Sequence, residues 1–228
     1  MKAKKSYVFV PRETYKPFFY RCYNHLSKLI TELKKIGIKA TLYPIGSGKR
    51  HLVTQKIING KPQAYDLDFN LEIDLDSLPP KYKSLKKLKD KIRELLNQII
   101  ADKDFFSDGQ DSTSVISVPL HFDNSKDIEF SFDLVIVSRN SYGNLQRLIH
   151  DKSHNNYTWS PAKNSKDCDK KAERLKTTER WNKVRKRYLE LKNQFINDIN
   201  HPSFICYVMA LTKFMICITN GDVFPHAP

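Results

Sequence analysis

The run from Asp66 to Asp76 constrains this chain more than any other stretch. Every even position is polar (Asp66, Asp68, Asn70, Glu72, Asp74, Asp76) and every odd one is apolar (Leu67, Phe69, Leu71, Ile73, Leu75). A period of two is the pattern of a strand with one buried face. Residues i and i+2 then share a face, so Asp66 and Asp68 project side by side while Leu67 and Phe69 enter the core. Adjacent carboxylates repel unless a cation lies between them. A half-buried strand with a solvated acidic face shows the same alternation, so the pattern alone leaves both readings open.

Two other acidic or glycine-rich devices are excluded by spacing. An EF-hand loop opens with similar Asp-x-Asp-x-Asn text but needs Gly at its sixth position and Glu at its twelfth, where this chain has Leu71 and Ser77. A phosphate-binding P-loop needs Gly-Lys followed by Ser or Thr and an earlier Gly. Here Arg50 follows Gly48-Lys49, and Tyr43 occupies the earlier glycine position. What remains is a strand over Ile38 to Ile45 that delivers Gly46-Ser47-Gly48, a connection, and Asp66-Leu67-Asp68. Glycine allows close backbone approach to a phosphate, and successive free N–H groups can cradle it. A third acid, Asp133, stands among Phe130, Phe132, Leu134, Val135, Ile136 and Val137. In so apolar a run it needs a cation or strong donors.

The order Ile45-Gly46-Ser47, then Tyr65-Asp66-Leu67-Asp68-Phe69-Asn70-Leu71-Glu72-Ile73, then Phe132-Asp133-Leu134-Val135-Ile136-Val137 resembles the nucleotidyltransferase superfamily of DNA polymerase beta. Within it, the branch of cyclic GMP-AMP synthase, oligoadenylate synthase and their bacterial relatives is the most similar. The resemblance covers roughly residues 17 to 140. It implies that Gly46 and Ser47 hold a nucleoside triphosphate, and that Asp66, Asp68 and Asp133 bind two magnesium ions, with manganese as a substitute. Lys186 aligns loosely with a lysine that relatives use on the triphosphate. The connection 48–65 is longer than is usual in the family. Its Asn59-Gly60-Lys61-Pro62 predicts an inserted hairpin tip, which would place a mobile basic finger near the site.

The formal net charge of +14 and sequence pI near 9.5 favour a polyanionic partner such as RNA, or an acidic substrate such as a nucleotide. Four cysteines without metal-ligand spacing are too few for a disulfide framework, so reduced thiols in a cytoplasmic protein are expected. Ser6 to Val10 is too short for a signal-peptide core. The longest apolar stretch, Phe204 to Ile218, contains Lys213 and is shorter than a membrane span, so it reads as a buried helix with no membrane contact.

Helical spacing over Pro17 to Ile36, ended by Gly37, and over Leu85 to Ile100 predicts two helices backing a sheet. Lys86, Lys87, Lys89 and Lys91 read as the second helix's solvated face. Strands are expected at Val115 to Phe122 and Ile128 to Val137, with a turn at Asp123-Asn124-Ser125-Lys126. Arg139 to Lys166 reads mostly as loop, anchored by Trp159-Ser160-Pro161. A basic amphipathic helix through Leu175, Trp181, Val184, Tyr188, Leu191 and Phe195 follows, and Ser203 to Thr219 forms the last helix.

The expected fold is therefore α/β, in the α+β sense. A small mixed β-sheet nucleotidyltransferase core over 1–138 is backed by helices and followed by a connector and helical lobe over 139–228, with the nucleotide between them. The expected activity moves a nucleoside monophosphate from a nucleoside triphosphate to a hydroxyl acceptor and releases pyrophosphate. Two alternatives are a basic nucleic-acid-binding module with a merely solvated acidic strand, and a catalytically inactive nucleotide-binding regulator. The presence of all three acids argues against degeneration.

Overall fold

In the computed structural model, which describes residues 3–101, 107–121, 128–162, 166–177 and 180–219, the alternating run becomes an inner strand of a mixed sheet. The strands are β1 (Lys5–Phe9), β2 (Ala40–Pro44), β3 (Thr54–Ile58), β4 (Lys61–Pro62), β5 (Tyr65–Ile73), β6 (Gln110–Asp111), β7 (Ile116–His121), β8 (Ile128–Arg139), β9 (Leu145–Asp151) and β10 (Asn156–Pro161). The helices are α1 (Arg12–Lys35), α2 (Gly46–Arg50), α3 (Leu85–Ile100), α4 (Lys166–Lys176), α5 (Arg180–Gln194) and α6 (Ser203–Thr219).

These elements fall into two compact units. The first, built from 10–55 and 62–162, contains the large sheet, in the order β10-β9-β8-β5-β2. β8 pairs with β5 along one edge, while along the other it pairs with β7 in its first half and β9 at its end. The β5–β8 pairing is parallel and the others are antiparallel. Odd residues of β5 and even residues of β8 form the core face: Leu67, Phe69, Leu71, Phe130, Phe132 and Leu134 are all buried. Against that face α1 sets Leu26, Leu29 and Leu33, and α3 sets Leu88, Ile92 and Leu96. Each such side chain contributes about 1.5–3 kcal/mol by leaving water. Because β5 and β8 alternate, burial of one face forces Asp66, Asp68 and Asp133 onto the other.

Several elements differ from expectation for identifiable reasons. Helix α1 begins at Arg12 rather than Pro17; Pro11 precedes its first turn, and Tyr15, 4% exposed, anchors the added turn in the core. β5 ends at Ile73, although the alternation continues to Asp76. There the Asp74 side chain accepts a hydrogen bond from the Asp76 N–H and opens a 3₁₀ turn, Leu75–Ser77, so a local polar contact outcompetes the ladder. The polar stretch after Arg139 is not mostly loop: it supplies β9 and β10, joined by a turn in which Asp151 accepts from the Ser153 N–H. Leu148 is buried on β9, and Tyr157 and Trp159 of β10 pack on the core. The turn expected at 123–126 lies outside the described residues.

Lys89 departs most from the expected solvated face, at 3% exposure. Its Nζ lies 2.5 Å from Asp111 Oδ1 and donates to the Ser112 carbonyl at 2.7 Å. His150 Nδ1 meets the other Asp111 oxygen at 2.7 Å, and the His150 ring stacks on Tyr157 at 4.1 Å. Burial lowers the Lys89 pKa, while Lys89 and His150 hold the Asp111 carboxyl below its usual range despite its partial burial. The network ties α3, β6, β9 and β10 together, and removing Asp111 would strand a buried charge.

The second unit comprises 1–9, 56–61 and 163–228. The expected basic helix is two helices, α4 and α5, with Leu175, Val184, Tyr188 and Leu191 buried. β1 lies against α5: Asn193 accepts from the Tyr7 N–H at 2.7 Å and donates to the Tyr7 carbonyl at 3.1 Å, as a neighbouring strand would. Lys192 Nζ sits 3.8 Å from the Tyr7 ring centre. The expected hairpin tip is present, with Asn59 and Gly60 both at positive φ, as a tight two-residue hairpin loop requires. Asn59 is hydrogen-bonded through its N–H and its side chain to Lys4. Helix α6 spans the expected residues, and among the described residues no helix is long and apolar enough to cross a membrane.

Candidate active site

Strand register decides the geometry of the acids. In the parallel β5–β8 pair, Asp68 stands directly opposite Asp133, and Asp66 opposite Ser131. In the antiparallel β7–β8 pair, Ser117 stands opposite Asp133. Three strands thus contribute Ser117, Ser131, Asp133, Asp66 and Asp68 to one patch of the sheet's polar face. Asp66 is exposed, while Asp68 and Asp133 are half-buried. The Ser131 hydroxyl donates to Asp66 Oδ1, and the Ser117 hydroxyl donates to Asp133 Oδ1.

The electrostatics follow from that crowding. Burial, then Asp133, then Asp66 push the Asp68 carboxyl up to about 7, and the Arg50 guanidinium offsets part of this. Burial and Asp66 also raise Asp133, against the Ser117 hydrogen bond. Facing carboxylates with raised proton affinity make an oxygen-rich donor set for a hard divalent cation, which would relieve their repulsion. Among the described residues no group of three or more His, Cys, Asp or Glu side chains is arranged to hold a metal ion. Two of these three carboxylates each direct an oxygen at a serine. The donor types and shared face fit a divalent ion held between strands.

The glycine-serine element is one turn of helix, α2, rather than an open turn. It is fastened to β5 beyond the last β2 pair, where the Ile45 N–H donates to the Asp68 carbonyl at 3.0 Å. Gly46 has φ +62, and a side-chain carbon there would collide with the Asp68 carboxylate. Any other residue there would require the Asp68 carboxylate or the turn itself to shift. Gly48 is buried against Leu67 and Phe19, which sets the helix down on the core. Ser47, half-buried in the same turn, begins the path to β3 through the Leu52 N–H, which donates to its carbonyl at 2.9 Å.

The structure thus brings together Asp66, Asp68, Asp133 and Gly46, with Ser47 next in the chain. The fold that results is shared with solved structures. Escherichia coli MS115-1 CdnC with ATP matches with a TM-score of 0.55 at 15% identity, over 94% of this chain and 63% of that one. Bradyrhizobium diazoefficiens CD-NTase CdnG with GTP matches with a TM-score of 0.50 at 19% identity, over 72% and 43%. The fold is that of the nucleotidyltransferases. Vibrio cholerae DncV cyclic AMP-GMP synthase, in complex with the linear intermediate pppA(3′,5′)pG, matches with a TM-score of 0.53 at 10% identity, over 82% and 49%. The chain spans less than two thirds of the length of each of these nucleotidyltransferases. Neither a family model nor a curated protein matches the sequence.

Lys186 lies exposed on α5 in the other unit, and its role on a triphosphate rests on the resemblance alone. Sequence reasoning missed Ser117, Ser131 and Arg50. The two serines did leave a signal: each is the polar exception between core residues, Ile116-Ser117-Val118 and Phe130-Ser131-Phe132. Nothing in the sequence paired them with particular acids.

Proposed function

We propose that the chain transfers a nucleoside monophosphate from a nucleoside triphosphate to a hydroxyl acceptor, with release of pyrophosphate. The single observation that carries this reading is the register that sets Asp68 opposite Asp133, with Asp66 one alternation away and Gly46 close against the Asp68 carboxylate. In the reaction the acceptor oxygen bonds to the α-phosphorus, the bond from that phosphorus to the β-phosphate oxygen breaks, and the hydroxyl proton is released. Asp66, Asp68 and Asp133 would hold divalent magnesium or manganese, which supplies charge neutralisation for the attacking and leaving oxygens. Gly46 and Ser47 present backbone to the triphosphate, where the absence of a side chain at Gly46 permits close approach. Asp133, across from Asp68, would hold the ion that activates the acceptor. Positioning and fixed charge then provide most of the rate.

Incubation with each α-labelled nucleoside triphosphate and magnesium or manganese, with and without total RNA and protein, tests the reading. Label should move from the triphosphate into a product, and chelation should stop it. Unlabelled products from all four triphosphates with both metals would overturn it. The solved relatives were captured with ATP, GTP and a linear dinucleotide, which makes a second nucleotide the first acceptor to try.

A polyanionic partner is favoured by the distribution of charge. Residues 1–9, 56–61 and 163–228 contain 18 Lys and Arg against 7 Asp and Glu, whereas the other unit is nearly balanced at 21 against 18. RNA is the polyanion that this basic unit would engage, through phosphate contacts with steep salt dependence. Lys170, Arg174 and Lys183 are exposed on α4 and α5. Reversing all three to Glu should weaken RNA binding and lower the salt slope by about three, while triphosphate binding is retained. Unchanged RNA binding in a filter or fluorescence assay would place the partner elsewhere.

A further inference from the structure

The three acids are not equally supported. Asp133 and Asp66 each receive a hydroxyl from the residue directly across the ladder, Ser117 and Ser131. We propose that these two serines are positioning residues that orient the Asp133 and Asp66 carboxylates for a divalent cation. This rests on the nucleotidyltransferase reading and adds two residues to the site.

The chemistry is that of hydrogen-bonded metal ligands. A serine hydroxyl has one proton to donate. Given to Oδ1, it fixes the rotation of the carboxylate and leaves Oδ2 available on the shared face. Outer partners of this kind set ligand orientation and metal affinity. The placement is also poor for strand packing alone, since β-branched or aromatic residues suit these positions better. Each serine interrupts an otherwise apolar triplet, Ser117 opposite Asp133 and Ser131 opposite Asp66. The Ser117–Asp133 contact is half-buried and the Ser131–Asp66 contact is exposed, so Ser117 exerts the stronger hold.

Manganese binding to the purified protein, followed by the electron paramagnetic resonance signal of the free ion, provides a readout independent of turnover. Ser117→Ala should weaken manganese binding by about 10–100-fold, and Ser131→Ala by less. Ser117→Thr, which keeps the hydroxyl, should bind as the wild type does. In nucleotide transfer, the magnesium concentration for half-maximal rate should rise in the same order. The thermal midpoint without metal identifies a folding defect; should Ser117→Ala show one, Ser131→Ala carries the comparison. Alanine variants that fold and bind manganese like the wild type would overturn the proposal while leaving the proposed reaction standing. A wild type that neither binds manganese nor transfers label would instead overturn the reaction, and the positioning role with it.

Discussion

Asp68→Asn is expected to abolish nucleotide transfer and to leave the protein no less stable than the wild type at pH 8 without metal. Asp68 is half-buried between Asp66 and Asp133, and burial and those neighbours push its carboxyl from 3.8 up to about 7. The native state therefore holds a proton that the unfolded chain has lost between about pH 4 and pH 7, and wild-type stability falls as pH rises through that window. Asparagine removes the ionisation, so this component of the slope should disappear from denaturant unfolding curves. Catalysis should respond oppositely, because losing several kcal/mol of metal-supplied stabilisation costs about 10³-fold or more in rate. Asp66→Asn and Asp133→Asn should lose transfer as well. Saturating manganese should raise the wild-type melting temperature more than that of any of the three variants, since only a ligand bound by the native state stabilises it. A variant that unfolds yet turns over normally per folded molecule would assign the acids a structural role.

Gly46→Ala should be almost as damaging to transfer, by a different route. Its φ of +62 costs an L-residue about 1 kcal/mol or more, and the new methyl would occupy the space of the Asp68 carboxylate. Either α2 lifts or Asp68 turns away, and displacement of a reacting group by about 1 Å can cost 10²-fold. Gly143 provides the control. It has φ +76 in the turn after β8, yet a side-chain carbon there meets nothing within 4 Å. Gly143→Ala should lose a similar increment of stability and keep its activity. If both variants lost activity alike, backbone strain rather than contact with Asp68 would be the cause.

Much of this protein was legible without coordinates, because the legible parts depend on local periodicity. Alternation identified β5 and its two-faced character; helical spacing identified α1 and α3, and a continuous apolar run α6; Asn59-Gly60 marked the hairpin. The identities and order of Gly46, Ser47, Asp66, Asp68 and Asp133 carried the resemblance that suggested the reaction. Local pattern failed where contacts distant in sequence outweighed it. Lys89 belonged to a basic face until Asp111 and His150, 22 and 61 residues further on, enclosed it. β9 and β10 carry too little apolar signal to stand out and are strands because β8 extends to pair with β9.

The polar face of the sheet shows the division most clearly. Residue types and alternation alone determined that Asp66 and Asp68 share a face and that Asp133, in so apolar a run, needs a cation or strong donors. The tertiary structure decided that Asp68 faces Asp133 rather than Ser131, that Asp66 receives the Ser131 hydroxyl, and that Gly46 packs against the Asp68 carboxylate. Those facts depend on the register between strands some 65 positions apart. A shift by two residues would keep every apolar side chain buried and every acid on the polar face, yet would separate Asp68 from Asp133. Alternation specifies the face of each strand, whereas register is selected by the packing of whole side chains across the core.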